Sequence, residues 1–215
     1  MSNIIAFTGL RGHGKSTAAE ALVNEYGYVH LNFADPLRMI CCTAYGVTFD
    51  EMLDPILKEK VLDRWPFKSP RELLQQIGTE MFRSYIDDTW VQAWKNAVEA
   101  TLRIGKHANT VSYDESGAEL PVPAGVVCSD CRFLNEAAMI KAMGGTLIKI
   151  EDPRKRAKLQ LNAAALHQSE VEIDQLPVNW TITNDRGVRD LELAATFFVG
   201  ETPGSDPLLL EIQQA

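Results

Sequence analysis

Eight residues near the amino terminus, GLRGHGKS from Gly9 to Ser16, carry the most specific chemistry in the chain. They fit G-x-x-x-x-G-K-S/T at every fixed position, the spacing of a loop that wraps phosphates. Glycines let successive backbone N–H groups converge on phosphate oxygens, and the helix that follows turns its positive end toward them. In such a loop Lys15 reaches the β and γ phosphates of ATP and Ser16 holds Mg2+. Gly12, His13, Gly14, Lys15, Ser16 and Thr17 form the expected ATP-binding set, with Lys15 also a catalytic cation. The competing reading is a glycine-rich turn that binds nothing.

A phosphate loop needs an acid to complete its metal site, and Asp130 closes the apolar run GVVCSD. On a strand beside the loop's own strand, that carboxylate would join Ser16 at the metal, directly or through water. The alternative is an Asp that merely begins a turn. Two residues on, Arg132 is placed to neutralise a transferred phosphoryl group, and Arg154, Lys155, Arg156 and Lys158 follow the next strand. Mobile cations that close over a charged transition state do this work well; a solvated helix face is the plainer account of the same run. No guanine-reading N-K-x-D is present, and Cys131 stands after the acid where many ATP-driven machines carry Glu. Arg132, Arg154 and Arg156 join Lys15 as catalytic candidates.

The middle of the chain offers polar groups for an acceptor. Arg38 lies in FADPLR, and Arg71, Gln75, Gly78 and Thr79 lie in RELLQQIGTE. On an α-helix, positions 71, 75 and 78 share one face, which is either a binding face or ordinary amphipathic patterning. Trp90 is carried as an acceptor-side candidate, against a core-packing role for it and Trp94.

These groups need a scaffold that delivers them to one place. Residues 3–8 form an apolar run before the glycine loop, and a helical pattern follows to Tyr26, stopped by Gly27. Further strands are predicted at 28–33, 125–128, 146–150 and 180–183, and helices at 34–45, 71–82, 90–104, 134–143, 153–166 and 190–199. Strands alternating with helices imply an α/β fold, a parallel five-stranded sheet covered on both faces. The organisation expected is one phosphate-loop domain over 1–200, with a helical acceptor-binding insertion at about 49–105 and a lid at about 151–170. Residues 106–124 read as a surface loop, and 201–215, with Pro203, Gly204 and Pro207, as a loosely held tail.

The bulk numbers limit the alternatives. The chain has 215 residues, 46% hydrophobic and 23% charged, with a net charge of −8. An acidic protein is a poor match for stable binding to nucleic acid, which favours a basic surface, whereas a small phosphorylated ligand needs only a local basic pocket. No apolar run approaches the roughly 18 residues of a membrane span, and the first residues read as a strand and not a signal peptide. Cys41, Cys42, Cys128 and Cys131 are therefore expected as reduced thiols of the cytoplasm. Cys128 and Cys131 form a C-x-x-C without a second pair at zinc spacing, so they read as small side chains at a buried strand end.

Taken together, GLRGHGKST, FADPLR, RELLQQIGTE, DTW, SDCRFLNEA, GGTLIKI, HQSE and TITND resemble the bacteriophage deoxynucleoside monophosphate kinase family, of the nucleoside monophosphate kinase-like P-loop fold. The resemblance runs from about Ile4 to Phe198. It implies transfer of the ATP γ-phosphate to a deoxynucleoside monophosphate (dNMP) in the host cytoplasm. By the same resemblance Arg11, Arg38, Arg71, Gly78, Thr79 and Arg132 line the acceptor side, the basic stretch from Arg154 acts as the lid, and Asn184 lies near the adenine. A homodimer is entertained. The lid reads EDPRKR where the family pattern calls for an Arg-Pro pairing. Two other accounts stay open: a kinase of another small phosphoacceptor such as dephospho-coenzyme A, and a nucleotide-dependent switch acting on DNA or a protein.

Overall fold

A computed structural model describes residues 3–106, 122–160, 172–199 and 212–214. The first strand, β1 (Ile4–Thr8), is buried along its whole length. That is the mark of a strand covered on both faces, where no polar–apolar alternation is needed. The glycine loop leads into α1 (Lys15–Tyr26), which ends at Gly27 in the left-handed conformation. β2 (Tyr28–His30) follows. Later in the chain come β3 (Gly125–Cys128), β4 (Thr146–Glu151) and β5 (Trp180–Thr183).

The sheet order is β2-β3-β1-β4-β5-β6. The first five strands pair in parallel, with Ala6 level with Cys128 and Phe7 level with Ile148. The sixth strand, β6 (Ile212–Gln214), pairs antiparallel with β5. The expected five parallel strands are all present, and residues 212–214, within the stretch read from sequence as a loosely held tail, form an additional edge strand; the rest of that stretch lies outside the described residues. Three residues are too few for an alternating pattern to show.

The chain divides into two compact units, one made of 1–32 and 97–215 and the other of Phe33–Asn96. In the first, Ile5, Phe7, Leu22, Val127, Ile148, Ile150, Ile182 and Leu191 build the core. They come from the central strands, from α1 and from α8 (Val188–Thr196). Among the described residues no helix is long and apolar enough to cross a membrane.

The second unit is helical: α2 (Asp35–Tyr45), α3 (Phe49–Leu53), α4 (Pro70–Gln75) and the first turns of α5 (Thr89–Lys106). Thr48 and Ser69 begin α3 and α4 with reciprocal capping boxes to Glu51 and Glu72, satisfying amide groups that a helix start leaves open. Leu37, Cys41, Met52, Leu73, Ile77 and Trp90 form its core. Residues Gln76–Arg83 are wound as a π-helix rather than a continuation of α4. The wider turn shifts Gly78 and Thr79 from the angular positions that an α-helix would give them.

Candidate functional site

The glycine loop follows the carboxyl end of β1, the end of the parallel strands at which ligands of open α/β sheets bind. Gly9, Gly12 and Gly14 all have positive φ. At Gly9 the reason is contact: an added Cβ would sit 2.3 Å from the Ile150 carbonyl oxygen of β4. Gly14 begins α1 without a side-chain cap bond of its own, at the kind of helix start whose amide groups bind anions. Lys15 is buried and its Nζ donates to the carbonyls of Gly9 (2.7 Å) and Leu10 (2.8 Å). The ammonium is thereby held inside the loop. Ser16 and Arg11 are exposed and Thr17 is half-buried.

His13 is buried and ties the loop to the end of β4. Its Nδ1 lies 3.2 Å from the Ile150 carbonyl oxygen and 3.1 Å from the Asp152 backbone nitrogen. Burial holds its pKa below the ordinary value, and the nearby Lys15 charge adds to this against the contact with Ile150. Asn184, beyond β5, donates from Nδ2 to the His13 carbonyl (2.9 Å).

Asp152 organises the first turn of α7 (Pro153–Gln160). Its Oδ1 accepts from the Arg154 amide (3.0 Å), Arg154 Nε (3.2 Å) and the Lys155 amide (3.3 Å). Burial disfavours its charge, but these bonds, chiefly from Arg154, outweigh it and lower its pKa. A cavity of about 440 Å3 opens here, lined among others by Gly12, Thr17, Arg154, Lys155, Asn184 and Leu191. That size is typical of small-ligand pockets. Asp152 escaped the sequence reading, although Asp-Pro at the start of a helical stretch is a recognisable cap signal.

Arg154 and Arg156 are engaged differently. Arg154 also donates to the Asn184 carbonyl (3.3 Å). Arg156 pairs with Glu151 (2.7 Å) and Asp174 (3.0 Å), and Lys149 bridges the same two carboxylates at 2.6 and 2.9 Å. Arg156 thus anchors α7 to β4 and to the turn at Ile173–Gln175.

Asp130 stands two residues beyond β3, the strand next to β1, and is half-buried. The Cys128 thiol donates to its Oδ1 (3.3 Å). A hydroxyl such as that of Ser16 and a carboxylate such as that of Asp130 are oxygen donors of the kind Mg2+ takes, commonly one or two from protein beside substrate phosphates. Such a site needs no cluster of three His, Cys, Asp or Glu, and among the described residues none exists. Cys128 and Cys131 are buried free thiols whose pKa values burial pushes well up. Arg132 is exposed at the start of α6 (Leu134–Ala142), where Glu136 accepts from its backbone amide at 2.8 Å.

In the helical unit, Arg38 is buried, pairs with Asp35, and has an Nε with no hydrogen-bond partner among the described residues. Arg71 is bound to Glu59 (2.6 Å) and Gln75 is exposed. Gly78 is buried against Leu37, and its carbonyl accepts from Trp90 Nε1 (2.9 Å). Trp90 itself packs on Phe82 in the core, and Thr79 is half-buried.

No protein-family model matches the chain. A protein of Acanthamoeba polyphaga mimivirus, which carries the provisional name deoxynucleotide monophosphate kinase, is 36% identical over 172 residues, covering 79% of this chain and 81% of that protein. Among solved structures, a dephospho-CoA kinase from Campylobacter jejuni matches with a TM-score of 0.50 at 16% identity, covering 93% of this chain and 96% of that one. At that identity the likeness speaks for the fold, a P-loop NTPase fold.

Proposed function

The chain belongs to the deoxynucleotide monophosphate kinase family of its mimivirus relative and is a phosphotransferase; on that premise we propose that it transfers the γ-phosphoryl group of ATP to a dNMP, giving ADP and dNDP. The observation that carries the donor half is the loop itself. Three positive-φ glycines, an uncapped start to α1 and a lysine folded into the loop are what a triphosphate requires. The acceptor half is supported by the relative's name and by Arg38, a buried cation with an unbonded Nε suited to an acceptor phosphate.

Phosphoryl transfer asks little covalent chemistry of a protein and much positioning and charge stabilisation. Lys15 and the amides of the loop and of α1 would hold the donor phosphates, and Arg132 and Arg154 would neutralise the group in transit. The neighbourhood of Arg154 and Asn184 would take the base. Ser16 and Asp130 would hold Mg2+, which when bound neutralises charge on the phosphates. Arg156, held by two carboxylates, would serve the lid's anchorage, while Arg11, Arg71, Gln75 and Thr79 remain acceptor-side candidates. Gly78 and Trp90 would act through the packing of the helical unit.

The test is ADP release from ATP and Mg2+ against a panel of dNMPs, ribonucleoside monophosphates and dephospho-coenzyme A. Strong turnover with at least one dNMP is the expected result. Turnover with dephospho-coenzyme A alone would replace the acceptor. ATP binding without any acceptor turnover would favour a nucleotide-dependent switch.

A further inference from the structure

The first turn of α7 presents three consecutive cations, and their partners separate them. Arg154 is drawn to Asp152 and to the Asn184 carbonyl. Arg156 is locked between Glu151 and Asp174. Lys155 alone of the three reaches the phosphate loop, donating from Nζ to the Gly12 carbonyl. Its stem follows the loop closely enough that a Cβ on Gly12 would lie 3.8 Å from Lys155 Cδ. Asp152 Oδ2 lies 3.7 Å from the same ammonium, too far for a tight bond. The side chain is half exposed and lines the 440 Å3 cavity.

Its backbone position is set independently of that contact. Asp152 accepts from the Lys155 amide, and its own amide meets His13 Nδ1 inside the loop. The loop is therefore bracketed by two ammonium groups, Lys15 on the carbonyls of Gly9 and Leu10 and Lys155 on that of Gly12. A carbonyl is a weaker acceptor for an ammonium than a phosphate oxygen, because only the phosphate oxygen brings an opposite charge to the bond.

We propose that Lys155 is a second phosphate-binding lysine of this loop, whose ammonium leaves the Gly12 carbonyl for a phosphate oxygen of the bound nucleoside triphosphate. This rests on the reading of the loop as an ATP site and adds a residue that the loop motif does not contain. No bond is made or broken; one hydrogen bond is exchanged for a stronger one. Asp152 and His13 act as positioning residues, because they fix where the first turn of α7 starts relative to the loop.

The experiment compares binding of ATP and of adenosine by calorimetry in the full chain, its Lys155→Ala variant and its Lys155→Gln variant. Glutamine keeps a donor for the Gly12 carbonyl and loses the charge. Loss of one charge-assisted bond should weaken ATP binding by about ten- to a hundredfold in both variants. Adenosine, which has no phosphate, should bind all three forms within about twofold. Equal weakening of ATP and adenosine would show that Lys155 only shapes the cavity. ATP affinity retained in Lys155→Gln would show that it only tethers the loop. Unchanged ATP affinity in both variants would remove any role; each of these outcomes overturns the proposal. A wild-type chain that binds no ATP would instead refute the underlying reading of the loop, and this proposal with it.

Discussion

Gly9→Ala probes the join between β1 and the phosphate loop, and Gly27→Ala provides its control. Both glycines have positive φ, +136° at Gly9 and +68° at Gly27. They differ in what a methyl group would meet. At Gly27 nothing lies within 4 Å, whereas at Gly9 the Ile150 carbonyl oxygen lies 2.3 Å away and its carbon 3.3 Å. At Gly27 the cost is the left-handed conformation alone, about 1 kcal/mol. At Gly9 the backbone cost is roughly 1–3 kcal/mol, and the crowding adds roughly another 1–3 kcal/mol. That crowding is hard to relieve, because the obstacle is the backbone of a central strand and not a side chain that can turn away. The central figure for Gly9→Ala is about 4 kcal/mol, a large part of the roughly 5–15 kcal/mol that holds a domain folded. The difference from the control is about 3 kcal/mol, or about 6–12 °C in Tm for a chain of this size. Scanning calorimetry of the two variants beside the wild type reads it directly. Melting points for the two variants within about 2 °C of each other would refute the close approach of β4 to the loop.

Three other outcomes are expected. Lys15→Ala should lower ATP-dependent turnover by about 10²- to 10³-fold, a loss typical of one preorganised charge at a transition state; near-normal turnover would remove its assigned role. Asp152→Ala should destabilise the chain by about 1–2 kcal/mol in urea unfolding, the range of a lost helix cap, and Asp152→Asn, which keeps a capping oxygen, should cost less. The buried neutral ring of His13 has its pKa lowered on folding. The unfolded chain therefore takes up this proton first as pH falls through about 6.5. Its contribution to stability is complete above that value and diminishes down to the lowered folded pKa. His13→Gln should flatten the stability profile between about pH 7.5 and 5.5, and identical profiles for variant and wild type would contradict this.

How much of this was legible in the sequence depends on the range over which each feature is encoded. The loop from Gly9 to Ser16, the strand at Gly125–Cys128 and the helix stop at Gly27 are local patterns, and the structure has them where the residues indicate. The alternation of strands and helices likewise led to the parallel sheet. The antiparallel edge strand at Ile212–Gln214 did not show, because it is three residues long. The π-helix at Gln76–Arg83 was hidden for another reason: its sequence is compatible with an α-helix, and the wider winding comes with the packing of Gly78 on Leu37 and its bond to Trp90. Around the site, the pairing of Arg156 with Glu151 and Asp174 and the reach of Lys155 to Gly12 depend on which strand ends meet. Lys155 and Gly12 are 143 positions apart, and no periodicity connects them. The basic run was visible as a run; the division of labour within it was not.

On the proposed function this loop passes a phosphoryl group from ATP to a nucleotide and does not merely hydrolyse ATP. Following a label on the γ-phosphate of ATP, with a mixture of dNMPs and Mg2+ present, tests it most directly. The label is expected in a dNDP, and Lys15→Ala is expected to lower that transfer by about 10²- to 10³-fold. Label released only as inorganic phosphate, at the same rate with and without dNMPs, would contradict it.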